Sequence, residues 1–576
     1  MNKLNLRAPH LLVLVTLCML LTVCSCSARS TTITETQKLE SLARVWGFLK
    51  YYHPTVASGK LNWDQQLIDK LPKIKAAQSK SELSQVYVEW IKELGDVKAA
   101  RSRKASKSVM EALLGLKKVN TKTFDENFNL SWTNDKTLFT DELIQALDVI
   151  EQHRAQDGNH YASINEYGFL DLKNEEPYSE LYFKYPDEAY RLLNLFRYWN
   201  IIEYYFPYKY RTDQNWNDVL AEMIPRFLQA NDLNEYHLAI VELVTKINDS
   251  HASISVALAP TVFGHFWLPA RFKIIDDKAI ITSFYNDSLA AVHDIKIGDV
   301  VHRVNGVQVS DIIKSKEKFI PASNQSTLRR DMANAVFNGV TDAVTITFER
   351  NGIIAEKQVA RYMGRDLKFK ADTKTDKWKM LEGNIGYVDM GLINVPDVQT
   401  MMQELANCKA IIFDVRNYPN GVMFEVAKYL NPEPRNFAKF TIPDLTYPGK
   451  FKWVTGQKAG EKNPNAYKGK IVLLANETTQ SHAEFTIMAL QTAADATIVG
   501  SQTAGADGNV IPFKMVGGHE TVFTGIGVFY PDGRETQRIG IVPDIEVKPT
   551  IAGVKAGRDE VLEKALEYIK AESTRL

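Results

Sequence analysis

Apolar residues recur at helical spacing in two stretches of the chain's first half, and a shift of 153 positions superposes one stretch on the other. Leu42, Arg44, Trp46, Tyr51, Tyr52 and Pro54 fall on Leu195, Arg197, Trp199, Tyr204, Tyr205 and Pro207, and Asn62-Trp63 falls on Asn215-Trp216. Each copy reads as helix, a Tyr-Tyr-x-Pro break, then more helix, which predicts a helical module occurring twice, over 37–100 and 190–258. Aromatic residues at this spacing are core. Asp96 falls on Asp249 at the same offset, but Val97-Lys98 follows the first and Ser250-His251 the second, so only the second copy carries titratable chemistry. The stretch 101–189 between them opens basic and polar and is expected to be a mixed linker.

From 263 to 362 the pattern becomes short alternating strands. Ile295-Lys296-Ile297-Gly298-Asp299-Val300-Val301 followed by Asn305-Gly306 resembles the signature of a bacterial PDZ domain, with a turn at Gly298-Asp299 and a hairpin at Asn305-Gly306. The resemblance implies binding of extended chain ends by strand addition. Beyond Trp378 strands and helices alternate: Asn384 to Asp389, a helix near Asp397 to Asn407, Ala410 to Asp414, a helix near Met423 to Leu430, Ile471 to Ala475, a helix from Ser481, then Thr497 to Gly500. This predicts an α/β core over 375–552, with function in the loops at the strand ends, and a C-terminal helix over 553–576.

The N-terminus adds a location. Lys3 and Arg7 precede a 13-residue apolar run, Leu11 to Val23, too short to span a bilayer but of signal-peptide length. Val23-Cys24-Ser25-Cys26 resembles a lipobox, which implies a signal over 1–25 and lipidation of Cys26. A lipid-anchored, periplasm-facing protein of the cell envelope is the expectation, and Ser27 supplies no acidic retention signal. Cys408, ahead of the apolar run from Ala410, is then the single free thiol and is expected to be packed and inert. Lys plus Arg and Asp plus Glu both number 69, so no global field favours nucleic acid as a partner.

Ile471 to Ala475 leads through a polar turn to Ser481, which opens an apolar helix. A serine there is a common helix cap, but its hydroxyl also sits where the helix terminus stabilises oxyanion charge. The strand-turn-Ser-x-x-Glu-helix, followed by Gly500-Ser-Gln-Thr-Ala-Gly505 and preceded by Asp414-Val-Arg416, resembles the nucleophile region of serine peptidase family 41, the tail-specific proteases and the tricorn core. So does the closing Gly540-Ile-Val-Pro-Asp544. The resemblance covers roughly 245 to 550 and implies a ClpP/crotonase-like α/β core with an inserted PDZ domain. It also implies a Ser481 nucleophile. Ala506 stands where one variant of the family has its lysine base, whereas Ser250-His251 matches the Ser-His pair of the tricorn-like variant.

The resemblance therefore assigns His251 as base, Ser250 as an orienting residue, and the backbone N–H groups of His482 and Gly421 as oxyanion donors. The family's glutamate falls on Gln537, leaving Glu535, two residues away, as the candidate acid. Neither metal nor cofactor is implied. The expected activity is cleavage of unfolded protein tails or peptide C-termini, the PDZ recruiting or gating them. The alternative is a catalytically impaired peptide- or lipid-binding protein on the same fold. A non-peptidase hydrolase is disfavoured by the absence of Gly-x-Ser-x-Gly.

Overall fold

A computed structural model describes residues 33–97, 119–256, 263–367 and 376–573. The expected signal segment, Cys26 and the basic stretch after Lys98 lie outside the described residues.

The α/β core is a sheet in the order Trp378–Leu381, Ile385–Asp389, Ala410–Asp414, Lys470–Ala475, Thr497–Gly500 and Ile545–Glu546. The first pair is antiparallel and every later pair parallel. Ala410–Asp414 is buried at all five positions, because helices cover both faces of the sheet. Ile411 and Phe413 point to the side packed by Val395–Glu404, Met423–Leu430 and His482–Leu490. Ala410 and Ile412 face the C-terminal helix Glu560–Ser573 through Val561, Ala565 and Ile569. Two loops leave the carboxyl ends of neighbouring strands, one after Asp414 and one after Ala475, and the second leads into Ser481. Cys408 is buried at the foot of this sheet, and burial pushes its thiol up.

The N-terminal half is helical. Glu35–Tyr52 and Glu188–Tyr205 lie against each other, so closely at Gly47 that a Cβ there would stand 1.8 Å from the Asn200 side-chain oxygen. Each helix carries a tryptophan paired reciprocally with one seventeen residues on. Trp46 Nε1 donates to Trp63 O at 3.0 Å and Trp63 Nε1 to Trp46 O at 3.1 Å. Trp199 and Trp216 repeat the exchange at 2.8 and 3.0 Å.

The described part of the expected linker is woven into the molecule. Val119–Phe124 pairs with Phe451–Ala459 at the edge of an antiparallel sheet, and Glu175 is buried in ion pairs with Lys50 and Arg197. Its polar sequence reads as linker because these partners are remote in the chain.

Residues 263–367 form a separate antiparallel sheet, ordered Ile353–Ala360, Ala343–Arg350, Val300–Val304, Lys278–Phe284 and Ala270–Ile275. Asn305 and Gly306 both adopt positive φ at its hairpin, as that turn demands. Asp299 is buried and held by both arms of the Arg350 guanidinium at 2.7 Å. The edge strand Ala270–Ile275 runs beside the helix Gln325–Phe337, with Phe272 stacked on Phe337.

A small three-stranded sheet ties the halves together. Glu520–Thr524 pairs antiparallel with both Val510–Lys514 and Ser253–Ile254. Ser253 stands opposite Val522, and continuing that register by two residues brings His251 opposite Thr524.

Candidate active site

Ser481 precedes the helix His482–Leu490 with φ 58° and ψ −122°. Helix caps elsewhere in the chain, Thr34, Ser79, Asp187 and Asp232, take the extended conformation usual for that position. A non-glycine residue in Ser481's region is strained, and the surroundings hold it there. Its N–H donates to Ala506 O at 2.9 Å and to Glu484 Oε2 at 3.1 Å. The Glu484 carboxylate, fully buried, also accepts from the Thr503 hydroxyl, Gly505 N and Ala506 N. One side chain thus bolts the Ser481 turn to the loop that follows Gly500. Burial raises the Glu484 carboxyl's pKa despite these donors. The neighbouring buried Asp507 is raised well above the carboxylate range, by burial first and by Glu484 second.

Ser481 and His251 line one cleft of about 550 Å³, together with Arg330, Tyr418, Gln480 and Asn509. His251 reaches it from the turn after Ile247. Its backbone N–H donates to Asp249 Oδ1 at 3.0 Å, and its Nδ1 lies 2.9 Å from Thr524 Oγ1. Burial lowers the imidazole's pKa, and the Asp249 charge opposes that shift. The balance favours the neutral imidazole. Behind Thr524 lies the buried Asp249 carboxylate, which accepts from Thr524 N, Thr524 Oγ1 and Gln537 Nε2.

Two expected site residues make their side-chain contacts outside this group. Glu535 does not join this group: it accepts from the Tyr210 hydroxyl and pairs with Arg211 Nε at 2.9 Å. Glu535 is bridged to Phe529, while the turn closed by Gly540 N on Thr536 O swings Gln537 inward to Asp249. Ser250, expected to help orient the site, places its hydroxyl on the 263–367 unit rather than on the imidazole. Its hydroxyl accepts from Ser323 N at 2.8 Å and bonds Thr327 Oγ1 at 3.0 Å, and its N–H donates to Ser323 Oγ. Ser250 is a latch between the Ser-His turn and the 263–367 unit, and its carbonyl also accepts from Gln480, the residue before Ser481.

The loop after Asp414 is anchored by Arg416, which grips Asp414 and Asp559, and by Asn420, whose amide donates to Gly391 O and Ile393 O. Gly421 takes φ 76° there, and Tyr418, three residues earlier, is the loop residue that reaches the cleft. His482 N–H is the first of its helix and points out of the N-terminus like any such donor. Among the described residues no cluster of three or more His, Cys, Asp or Glu side chains is placed to hold a metal ion.

Asp249 was visible only as the partner of Asp96, and Thr524 carried no signal at all. Glu484 was marked by its Ser-x-x-Glu spacing.

Residues 384–547 match the model of peptidase family S41. The structure of mature CPAF complexed with lactacystin is 15% identical over 66% of this chain and 97% of that one, with a TM-score of 0.51. The photosystem II D1 C-terminal processing protease is 16% identical over 66% of this chain and 99% of that one, with a TM-score of 0.35. At such identity the first likeness speaks to the fold. No curated protein matches the chain.

Proposed function

Starting from a chain whose residues 384–547 match the model of peptidase family S41, we propose that it is a serine peptidase in which Ser481 is the nucleophile and His251 the general base of peptide-bond hydrolysis. One observation carries this reading. Ser481 is held in a strained conformation at a helix N-terminus, and it shares a cleft with a histidine whose pKa is lowered by burial.

In the mechanism Ser481 Oγ attacks the scissile carbonyl carbon as its proton passes to His251 Nε2. The tetrahedral oxyanion forms beside the helix N-terminus, where His482 N–H is a donor, and Gly421 N–H is proposed as the second. Nε2 then protonates the leaving amine, and water hydrolyses the acyl-enzyme by the same exchange.

Unfolded tails and peptide C-termini are the proposed substrates. The 263–362 unit is proposed to be a PDZ domain that recruits or gates them, a reading supported by an open edge strand beside a helix. The Ser250–Ser323 latch would couple that unit to the Ser-His turn. The two helical copies are proposed to be a duplicated scaffold, on the strength of their matching tryptophan pairs. Attachment to the envelope through Cys26 is proposed from the sequence. A Cys26→Ala chain that fractionates with membranes as the parent does would refute it.

The activity is tested by mass spectrometry of peptides with free or amidated apolar C-termini, incubated with protein lacking its first 26 residues. Cleavage lost in both Ser481→Ala and His251→Ala, with free carboxylates preferred, is the expected result. Binding without cleavage, equal in all three proteins, would replace this reading with a peptide-binding one.

A further inference from the structure

Asp249 is fully buried, and the donors around it leave little freedom in where protons sit. Its carboxylate accepts from Thr524 N at 2.8 Å, Thr524 Oγ1 at 3.0 Å, His251 N at 3.0 Å and Gln537 Nε2 at 3.3 Å. An ionised carboxylate only accepts, and a threonine hydroxyl has one proton. That proton is committed to Asp249, since turning it away would set lone pairs of Thr524 and Asp249 against each other across 3.0 Å. Thr524 Oγ1 must then accept from His251 Nδ1, 2.9 Å away. The proton of the neutral imidazole is therefore on Nδ1, and the lone pair is on Nε2.

We infer that Asp249, acting through the Thr524 hydroxyl, is the acid that positions His251, and that Gln537 serves as an amide clamp on Asp249. The inference rests on the Ser481–His251 reading. It places the acid on the same turn as the base, two residues before it, with strand register supplying the bridging hydroxyl from 275 residues away. Glu535, the acid expected from the sequence, is occupied elsewhere by Tyr210 and Arg211.

The protons balance in each step. When Ser481 Oγ bonds to the carbonyl carbon, its proton goes to Nε2, and the imidazolium then carries hydrogen on both nitrogens. Nδ1–H stays on Thr524, and the Thr524 proton stays on Asp249, so nothing is relayed to the carboxylate. When the C–N bond breaks, Nε2 returns its proton to the amine. Asp249 fixes the tautomer and offsets the imidazolium charge, but more weakly than a carboxylate in direct contact would. Asp249 and Thr524 are positioning residues in this scheme. Among the described residues, the other charged group lining the cleft near His251 is Arg330, from the helix Gln325–Phe337, whose guanidinium pairs with the Asp331 carboxylate at 2.7 Å.

The test compares wild type with Thr524→Val, Thr524→Ser and Asp249→Asn, with Ser481→Ala as the reference for lost nucleophile. Two readouts are used: peptide kcat and KM against pH, and 15N NMR of histidine-labelled protein, with the His251 signal identified by its loss in His251→Gln. We expect wild-type His251 to carry its proton on Nδ1. Thr524→Val should lower kcat by about 10²- to 10⁴-fold with KM little changed. Thr524→Ser should recover most of that rate, and Asp249→Asn should move the acid limb of kcat/KM to lower pH. A purely structural role would reduce the amount of folded enzyme and leave that limb in place. The proposal is overturned if the wild-type proton sits on Nε2, or if Thr524→Val cleaves at the wild-type rate while Ser481→Ala is inactive. Activity surviving in Ser481→Ala would instead sink the nucleophile assignment, and the NMR tautomer would still judge the relay.

Discussion

Ser481 holds its unusual backbone at a cost that a glycine would not bear. Residues in such regions store about 1–3 kcal/mol, which the Glu484 hydrogen bonds and helix packing offset. Both Ser481→Ala and Ser481→Gly should be inactive, but the glycine chain should be the more stable by about 1 kcal/mol in urea denaturation. Equal stabilities would mean that the turn carries no strain. The same residue divides what was legible from what was not. Its candidacy followed from a strand, a polar turn and a Ser-x-x-Glu spacing, all local. Its departure from ordinary capping geometry depends on Ala506 O and on Glu484's grip of the loop at 503–506, which local pattern does not encode.

Among the elements, the two long N-terminal helices cross where Gly47 meets Asn200, each at the same place in its copy of the sequence shift. Asn200 Nδ2 donates to Ala43 O at 2.9 Å, so the amide cannot retreat without losing a buried bond. Gly47→Ala should therefore destabilise the protein by about 1–3 kcal/mol, although alanine is the better helix former. A thermal or urea transition unchanged by the substitution would show that the helices can separate freely. Both helices were evident from apolar spacing, and so were the four central strands of the α/β sheet, whose ends moved by only a few residues; the outer strands Trp378–Leu381 and Ile545–Glu546 were not. The role of 119–189 was not. Its strand finds a partner past residue 450 and its Glu175 meets Lys50 and Arg197, and pairing over such distances leaves no periodic trace.

For the whole molecule, buried histidines of the helical half lead us to expect acid sensitivity. His237 and His53 are fully buried, and burial lowers both from the usual 6.5 to about 4. A histidine whose folded pKa is depressed contributes stability that is present above its unfolded pKa and is lost as pH falls toward the folded one. Unfolding free energy should decline between about pH 6.5 and pH 4 as the unfolded chain takes up protons that the folded state refuses. His237→Phe should flatten that decline, and an identical pH slope in the variant would place the acid sensitivity elsewhere. His237 packs against His519 at 4.8 Å between ring centroids, a contact joining the helix Leu233–Thr245 to the small sheet that also carries Thr524.

Legible from residue spacing alone were the helical pattern and its 153-residue shift, the order of the four central strands and three helices of the α/β core, and the serine, histidine and altered loop worth examining. These are properties of spacing and of short segments, set by periodicity and turn chemistry within a few residues. The fold, in contrast, set the Asp249 carboxylate behind the Thr524 hydroxyl beside His251, made Ser250 a latch between two units, and brought Tyr418 to the cleft. Those facts depend on strand register and on hydrogen bonds between residues hundreds of positions apart. A one-residue slip in that register would turn Thr524 to the other face of its strand.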